Sequence, residues 1–169
     1  MSARILVAGI GNIFLGDDGF GVAMAHRLVG TLPAEVAVLD VGVRSLHLAY
    51  ALLDEAPELL LVLDAVGRDD APGTLTLIDP AELAEGSMTA EVPDGHGISL
   101  GTVMAALRAL GGTPPPTLLI GCQPESLEYR MGLSTTVESA LSRAEEMVRT
   151  VVERHLVSAA LVAAEGSGS

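Results

Sequence analysis

Two adjacent carboxylates, Asp17 and Asp18, stand in a run dense in glycine: Gly9-Ile10-Gly11-Asn12-Ile13-Phe14-Leu15-Gly16-Asp17-Asp18-Gly19-Phe20-Gly21. A turn of this composition can offer carboxylate oxygens to a cation. Successive side chains in a turn diverge, so one of the two acids is expected to face such a site. A further acid, Asp64, interrupts the apolar run Leu61-Val62-Leu63-Asp64-Ala65-Val66. Burying a lone charge is costly, so an acid in that setting belongs at the end of its element or beside a partner. His96, within Asp94-Gly95-His96-Gly97, has glycine neighbours that do little to shield its ring. Two carboxylates and one imidazole make a borderline ligand set, suited to nickel, zinc or iron with coordination positions left open. Each residue also has a plain structural alternative: a solvated turn for the acid pair, a cap or loop anchor for Asp64. No compact metal motif and no helical pair of histidines decides between them.

Two other chemistries can be tested on the residues. Gly9 and Gly11 after an apolar run suggest a dinucleotide loop, but the third glycine of that fingerprint would fall at position 14, which is Phe14. Asp17 and Asp18 would also repel the pyrophosphate. Gly97-Ile98-Ser99-Leu100-Gly101 matches the pattern of a serine-hydrolase elbow. That elbow needs a buried strand running into the serine, with its acid and then its histidine later in the chain. Here a loop precedes Ser99, and the one later histidine, His155, falls in a helical stretch. Ser99 reads better as a helix N-cap, with a serine hydrolase as the alternative. Cys122, within an apolar run, reads as packing.

The elements that must position these residues alternate in type. Ile5–Ala8 is a continuous apolar run and reads as a strand covered on both faces; Val36–Val41, Leu59–Val66 and Thr117–Cys122 read as further strands, Leu59–Val66 the strongest of them and Thr117–Cys122 buried. Thr74–Ile78 alternates threonine with aliphatics, as an edge strand with one wet face would. Helical spacing marks Gly21–Leu32, Ser45–Leu53 and Ser99–Leu110. Glu85–Gly97 reads as loop. One long helix is expected from near Ser134, where Thr135 and Glu138 have capping-box spacing, to about Val162, with a frayed tail at 163–169. This alternation predicts an α/β fold of three layers, a mostly parallel twisted sheet with helices on both faces, in Rossmann-like or phosphorylase/hydrolase-like layering. Ligands of such sheets sit at the carboxyl ends of the strands, which is where Asp18, Asp64 and the His96 loop would converge.

The bulk numbers narrow the function classes. At 169 residues the chain has material for one domain, 1–169, and no second core. Hydrophobic residues are 49% and aromatics only 2%, so the core must be aliphatic. A formal net charge of −13 disfavours nucleic acid and anionic membrane partners and suits a cation. One cysteine excludes an intrachain disulfide and a thiolate cluster. No apolar run approaches the roughly 20 residues that span a bilayer, and the N-terminus does not read as a signal peptide, so a cytoplasmic protein is expected.

Four blocks, in order, resemble one family. Gly9-Ile10-Gly11-Asn12 with Leu15 to Val22, Leu63-Asp64-Ala65, the His96 loop, and Gln123-Pro124-Glu125-Ser126-Leu127-Glu128 with Gly132-Leu133-Ser134 resemble the hydrogenase maturation peptidases, over about residues 4 to 150. The resemblance implies a parallel-sheet α/β domain and an endopeptidase that trims the C-terminal extension of a nickel-iron hydrogenase large-subunit precursor. It implies that Asp18, Asp64 and His96 form the metal-contacting and catalytic set, and that Asn12, Asp40 and Gly42 meet the substrate. The nickel is expected to come with the substrate. A non-catalytic nickel-sensing chaperone for the same client is the alternative use of that trio. One block departs from the family: Asp40-Val41-Gly42-Val43-Arg44-Ser45 keeps the aspartate and one glycine of Asp-Gly-Gly-Thr-x-Gly but lacks its threonine.

Overall fold

The computed structural model describes residues 3–82 and 100–168. Its centre is a five-stranded sheet of β1 (Ile5–Ile10), β2 (Val36–Gly42), β3 (Leu59–Ala65), β4 (Leu75–Ile78) and β5 (Thr117–Cys122), in the order β2-β1-β3-β5-β4. β2, β1, β3 and β5 run parallel, and β4 pairs antiparallel along the edge of β5. β1 is buried along its whole length and β3 along its first five residues, which is why both are unbroken apolar runs rather than alternating ones.

Helices cover both faces. α1 (Phe20–Leu28) and α5 (Leu141–Gly166) pack on one, α2 (Ser45–Glu55) and α3 (Leu100–Ala109) on the other. Side chains alternate across a strand. Accordingly Ile5, Val7, Leu61 and Leu63 join Phe20, Met24, Leu28 and Val148 in the first core layer, while Leu6, Ala8, Leu60 and Val62 join Leu48, Leu52, Val103 and Leu107 in the second. Phe20 is the one buried aromatic; Phe14, Tyr50 and Tyr129 are all exposed. The core is therefore aliphatic, as composition requires. Truncating a side chain such as Leu61, which has no solvent contact, would cost about 2–5 kcal/mol in lost burial and a residual cavity.

The C-terminal region differs from expectation. In place of one helix from Ser134, a short α4 (Thr135–Glu138) ends in a tight turn at Ser139–Ala140 before α5 begins. The Ala140 N–H bonds three residues back to Val137, and the Ser139 hydroxyl donates to the Thr135 carbonyl. Both tighten the backbone locally, and such a serine back-bond bends a helix. The cap is Ser134, whose hydroxyl accepts from the Val137 N–H at 3.3 Å, and not Thr135. α1 is shorter than its periodicity suggested, ending at Leu28 with Thr31 closing back onto the Leu28 carbonyl. The expected loop at 85–97 and the Ser99 cap lie outside the described residues.

β1 is flanked by β2 and β3; α1, which follows β1, packs on one face of the sheet, and α2, which follows β2, packs on the other. The strand order reverses its direction between β1 and β3, and the crevice at the carboxyl ends of these two strands is the place where doubly wound sheets bind ligands.

Candidate active site

That crevice holds the acid-rich turn. Residues Gly16–Gly19 form one turn of 3-10 helix that leads into α1 and leans over the end of β3. Close approach here depends on missing side chains. A β-carbon on Gly21 would fall on the Leu63 carbonyl oxygen, and one on Gly11, where φ is +135°, on the Asp18 carbonyl oxygen. Glycine at both positions lets the start of α1 sit directly on the strand ends.

The two adjacent aspartates part company, as divergent turn side chains should. Asp17 points inward and is 1% exposed. Its Oδ1 accepts the Ser134 N–H at 2.7 Å; its Oδ2 accepts the Ser134 hydroxyl at 2.8 Å, the Glu125 N–H at 2.8 Å and the Ser126 N–H at 3.1 Å. Burial alone would raise its pKa. The donated backbone hydrogen bonds outweigh that and hold the carboxyl below its ordinary value. Asp18 instead turns toward the crevice, where its Oδ2 accepts the Asn12 N–H at 2.7 Å. Burial raises its pKa, and the single amide opposes this only in part.

Asp64 comes up from β3 on the α2 and α3 side of the sheet, in step with Leu60 and Val62. It keeps some solvent contact, yet protein surrounds its carboxyl closely enough to lift its pKa well above the ordinary carboxylate range. Burial is the main cause, the negative charge of Asp18 adds to it, and the Ala65 N–H works against it. Asp18 and Asp64 thus share one crevice and repel each other. Among the described residues neither forms an ion pair. Two crowded acids without a counter-charge favour a shared proton or a cation. His96 lies outside the described residues, and those that are described hold no group of three metal-ligating side chains.

The remaining site candidates have other engagements. Asp40, at the end of β2, is in step with Val36 and Val38, so it faces the opposite side of the sheet from Asp64. Its Oδ2 accepts from the ring nitrogen of His26 at 2.7 Å. The Asn12 side chain accepts the Phe14 N–H within its own turn, and its amide serves Asp18. Gly42, at φ +59°, accepts the Gly11 N–H and so ties the two loops together. Arg44 closes the departing block by donating to the Asp40 and Val41 carbonyls. Cys122 is fully buried, its thiol pushed up to about 11 by burial and the nearby Asp17 charge, so it is no nucleophile.

Two features escaped the residue-by-residue reading. Asp17 is the anchor of the β5–α4 loop, from residues 117 positions away at most. The second is an apolar rim. Arg130 exchanges backbone hydrogen bonds with Phe14 and Gly16, and this joins the β1 loop to the β5–α4 loop. The joined loops present Ile13, Phe14, Leu127, Tyr129 and Met131 to solvent, with Tyr129 86% exposed. The scarcity of aromatics was the available signal: a chain with four spends two of them here.

The profile of a family described as hydrogenase maturation protease matches residues 22–151. The hydrogenase 2 maturation protease of Escherichia coli is 35% identical over 148 residues, which cover 86% of this chain and 88% of that one. The hydrogenase expression/formation protein HupD of Rhodobacter capsulatus is 36% identical over 153 residues, 86% of this chain and 71% of that one. In three dimensions the chain is similar to the hydrogenase maturating endopeptidase HybD of E. coli, with a TM-score of 0.75 and 34% identity over 90% of this chain and 93% of that one.

Proposed function

This chain belongs to the hydrogenase maturation protease family, and from that premise we propose how its crevice acts on a client. The chain is a peptidase of hydrogenase maturation. Its client is the large-subunit precursor of a nickel-iron hydrogenase, and the reaction removes the precursor's C-terminal extension. The observation that carries this reading is the pair Asp18 and Asp64 at the carboxyl ends of β1 and β3, which has no counter-charge among the described residues.

Nickel enters as part of the substrate. A precursor that has received its metal presents a cation, and a cation is what two crowded carboxylates lack. Asp18 and Asp64 then serve as ligands from this side, with His96 as the third. An unloaded precursor leaves the pair repelling, so docking is weaker and the cut does not follow. Docked next to the metal, the scissile carbonyl is polarised. A carboxylate oxygen left free by the cation accepts a proton from water. The hydroxyl adds to the carbonyl carbon, the C–N bond breaks, and the proton passes to the departing amine. The apolar rim of Phe14, Leu127, Tyr129 and Met131 covers the approach and seats the precursor chain. Asn12 and Gly42 contribute through their backbone, by aiming Asp18 and by tying the β1 loop to the end of β2, and Asp40 through His26.

The reaction belongs in the cytoplasm, in keeping with a strongly acidic chain whose one cysteine is a buried thiol. Among the described residues no helix is long and apolar enough to cross a membrane. The test is mass spectrometry of the precursor's C-terminus after incubation with this protein, nickel-loaded and nickel-free. Cleavage of the loaded form only is expected, with loss of cleavage in Asp18→Ala, Asp64→Ala and His96→Ala. Full processing by all three variants would remove the basis of the reading.

A further inference from the structure

We propose that Asp17 is a positioning residue, a carboxylate staple that clamps the acid turn onto the β5–α4 loop and thereby aims Asp18 at Asp64. The inference deepens the reading of the crevice given above and rests on it for the role of Asp18.

Asp17 and Asp18 are neighbours in one turn of 3-10 helix, so the backbone that orients one orients the other. All four bonds to the Asp17 carboxylate come from donors, three backbone N–H groups and one hydroxyl, at 2.7 to 3.1 Å. The donors lie in Glu125, Ser126 and Ser134, at both ends of one loop. The backbone of the turn adds its own bonds to that loop, Asp17 N–H to the Ser126 carbonyl at 3.0 Å and Gly16 N–H to the Arg130 carbonyl at 2.8 Å. Gly16 itself sits at φ +56° against the Ser126 carbonyl, so the turn and loop are in close contact. Only an ionised carboxylate has enough acceptor sites for this arrangement, since an amide would set its own N–H groups against donors. Asp18, by contrast, is held at its tip by a single bond, from the Asn12 N–H. Its direction is therefore set by where the turn backbone is placed, and that is what Asp17 decides.

A merely structural anchor would change stability and nothing else. The staple predicts a displaced Asp18, and the Asn12 amide reports that directly. The experiment uses the full chain as wild type, Asp17→Asn and Ser134→Ala. Two quantities are read: the Asn12 amide resonance in client-free protein well below the unfolding temperature, and kcat and KM for the nickel-loaded precursor. Asp17→Asn is expected to shift the Asn12 amide and to lower kcat by about 10- to 100-fold, the scale of a small misplacement of a reacting group, with KM changed by less than about twofold. Ser134→Ala removes one donor of the four and should move both readouts in the same direction by less. An unmoved Asn12 amide in both variants, or a kcat loss that follows the melting temperature alone, overturns the proposal. Should Asp17→Asn not fold, Ser134→Ala decides by the same two readouts. The amide measurement needs no client, so an Asp18→Ala protein with full activity would sink the site reading while leaving the staple to its own test.

Discussion

The two ends of β3 carry acids in opposite circumstances. Glu58, just before the strand, accepts the Arg4 guanidinium through both oxygens at 3.0 and 3.1 Å and the His155 ring nitrogen at 3.0 Å. The Arg4 and His155 hydrogen bonds hold its pKa below the ordinary value. Asp64, near the other end, is crowded by protein and by Asp18, and its pKa is driven up. One strand thus ends in a compensated, solvated acid and in an enclosed one that has no counter-charge among the described residues. The first kind of acid is worth little to stability, because water screens it. The second kind costs stability, and proteins keep such groups where they work. The asymmetry supports the proposed placement of the chemistry at the carboxyl edge without reference to any relative.

The strongest test of that contrast is activity. Asp18→Ala or Asp64→Ala should lower precursor cleavage by about 10²- to 10⁴-fold, the range for losing a positioned acid or base, while Glu58→Gln cleaves as wild type. Equal losses at both ends of β3 would erase the distinction. The next effect is on stability. With metal absent, Asp64→Asn should raise stability at neutral pH, since the amide carries no charge to enclose. The sign has a pH signature. A raised folded pKa penalises the ionised form above it, and the penalty is relieved as pH falls through that value toward the ordinary carboxylate range. The advantage of Asp64→Asn in thermal melts should therefore shrink with acidification, and a constant advantage would point to packing instead.

Smaller effects belong to the rim and to the amino edge. Phe14→Ala and Tyr129→Ala should raise KM for the precursor by about tenfold each with kcat nearly unchanged, as expected of exposed aromatic anchors worth about 1–2 kcal/mol in binding. A loss in kcat alone would move these residues from docking to chemistry. Smallest of all, Glu58→Gln should cost less than about 1 kcal/mol at neutral pH, because Glu58 and Arg4 are partly open to water. Glu58 has a depressed folded pKa, so its contribution is present above the unfolded value and lost as pH falls through the folded one. Wild type and Glu58→Gln should accordingly converge in acid.

The strands and the layer order were legible because they rest on short apolar runs that any folded context would bury. The order of blocks along the chain was legible too, and with it the family. Less accessible was which of Asp17 and Asp18 would face the crevice. Local turn chemistry says that two neighbours diverge; the choice between them is made by Ser134, Glu125 and Ser126, more than 100 positions away. The same long-range contact explains the cap. Thr135 and Glu138 have the right spacing, but Ser134 is the residue whose hydroxyl can serve Asp17 and the first turn of α4 together.

Sequence by itself determined an aliphatic parallel sheet, helices on both faces, and acids at strand ends, since periodicity and the cost of burying charge act on a few neighbouring residues at a time. Only the tertiary structure decided that Asp64 and Asp40 face opposite sides of the sheet, that Asp17 is a staple and Asp18 is not, and that Phe14 meets the loop of Tyr129. Each of these depends on strand parity within the assembled layers or on a hydrogen bond between distant segments, and no local pattern encodes either.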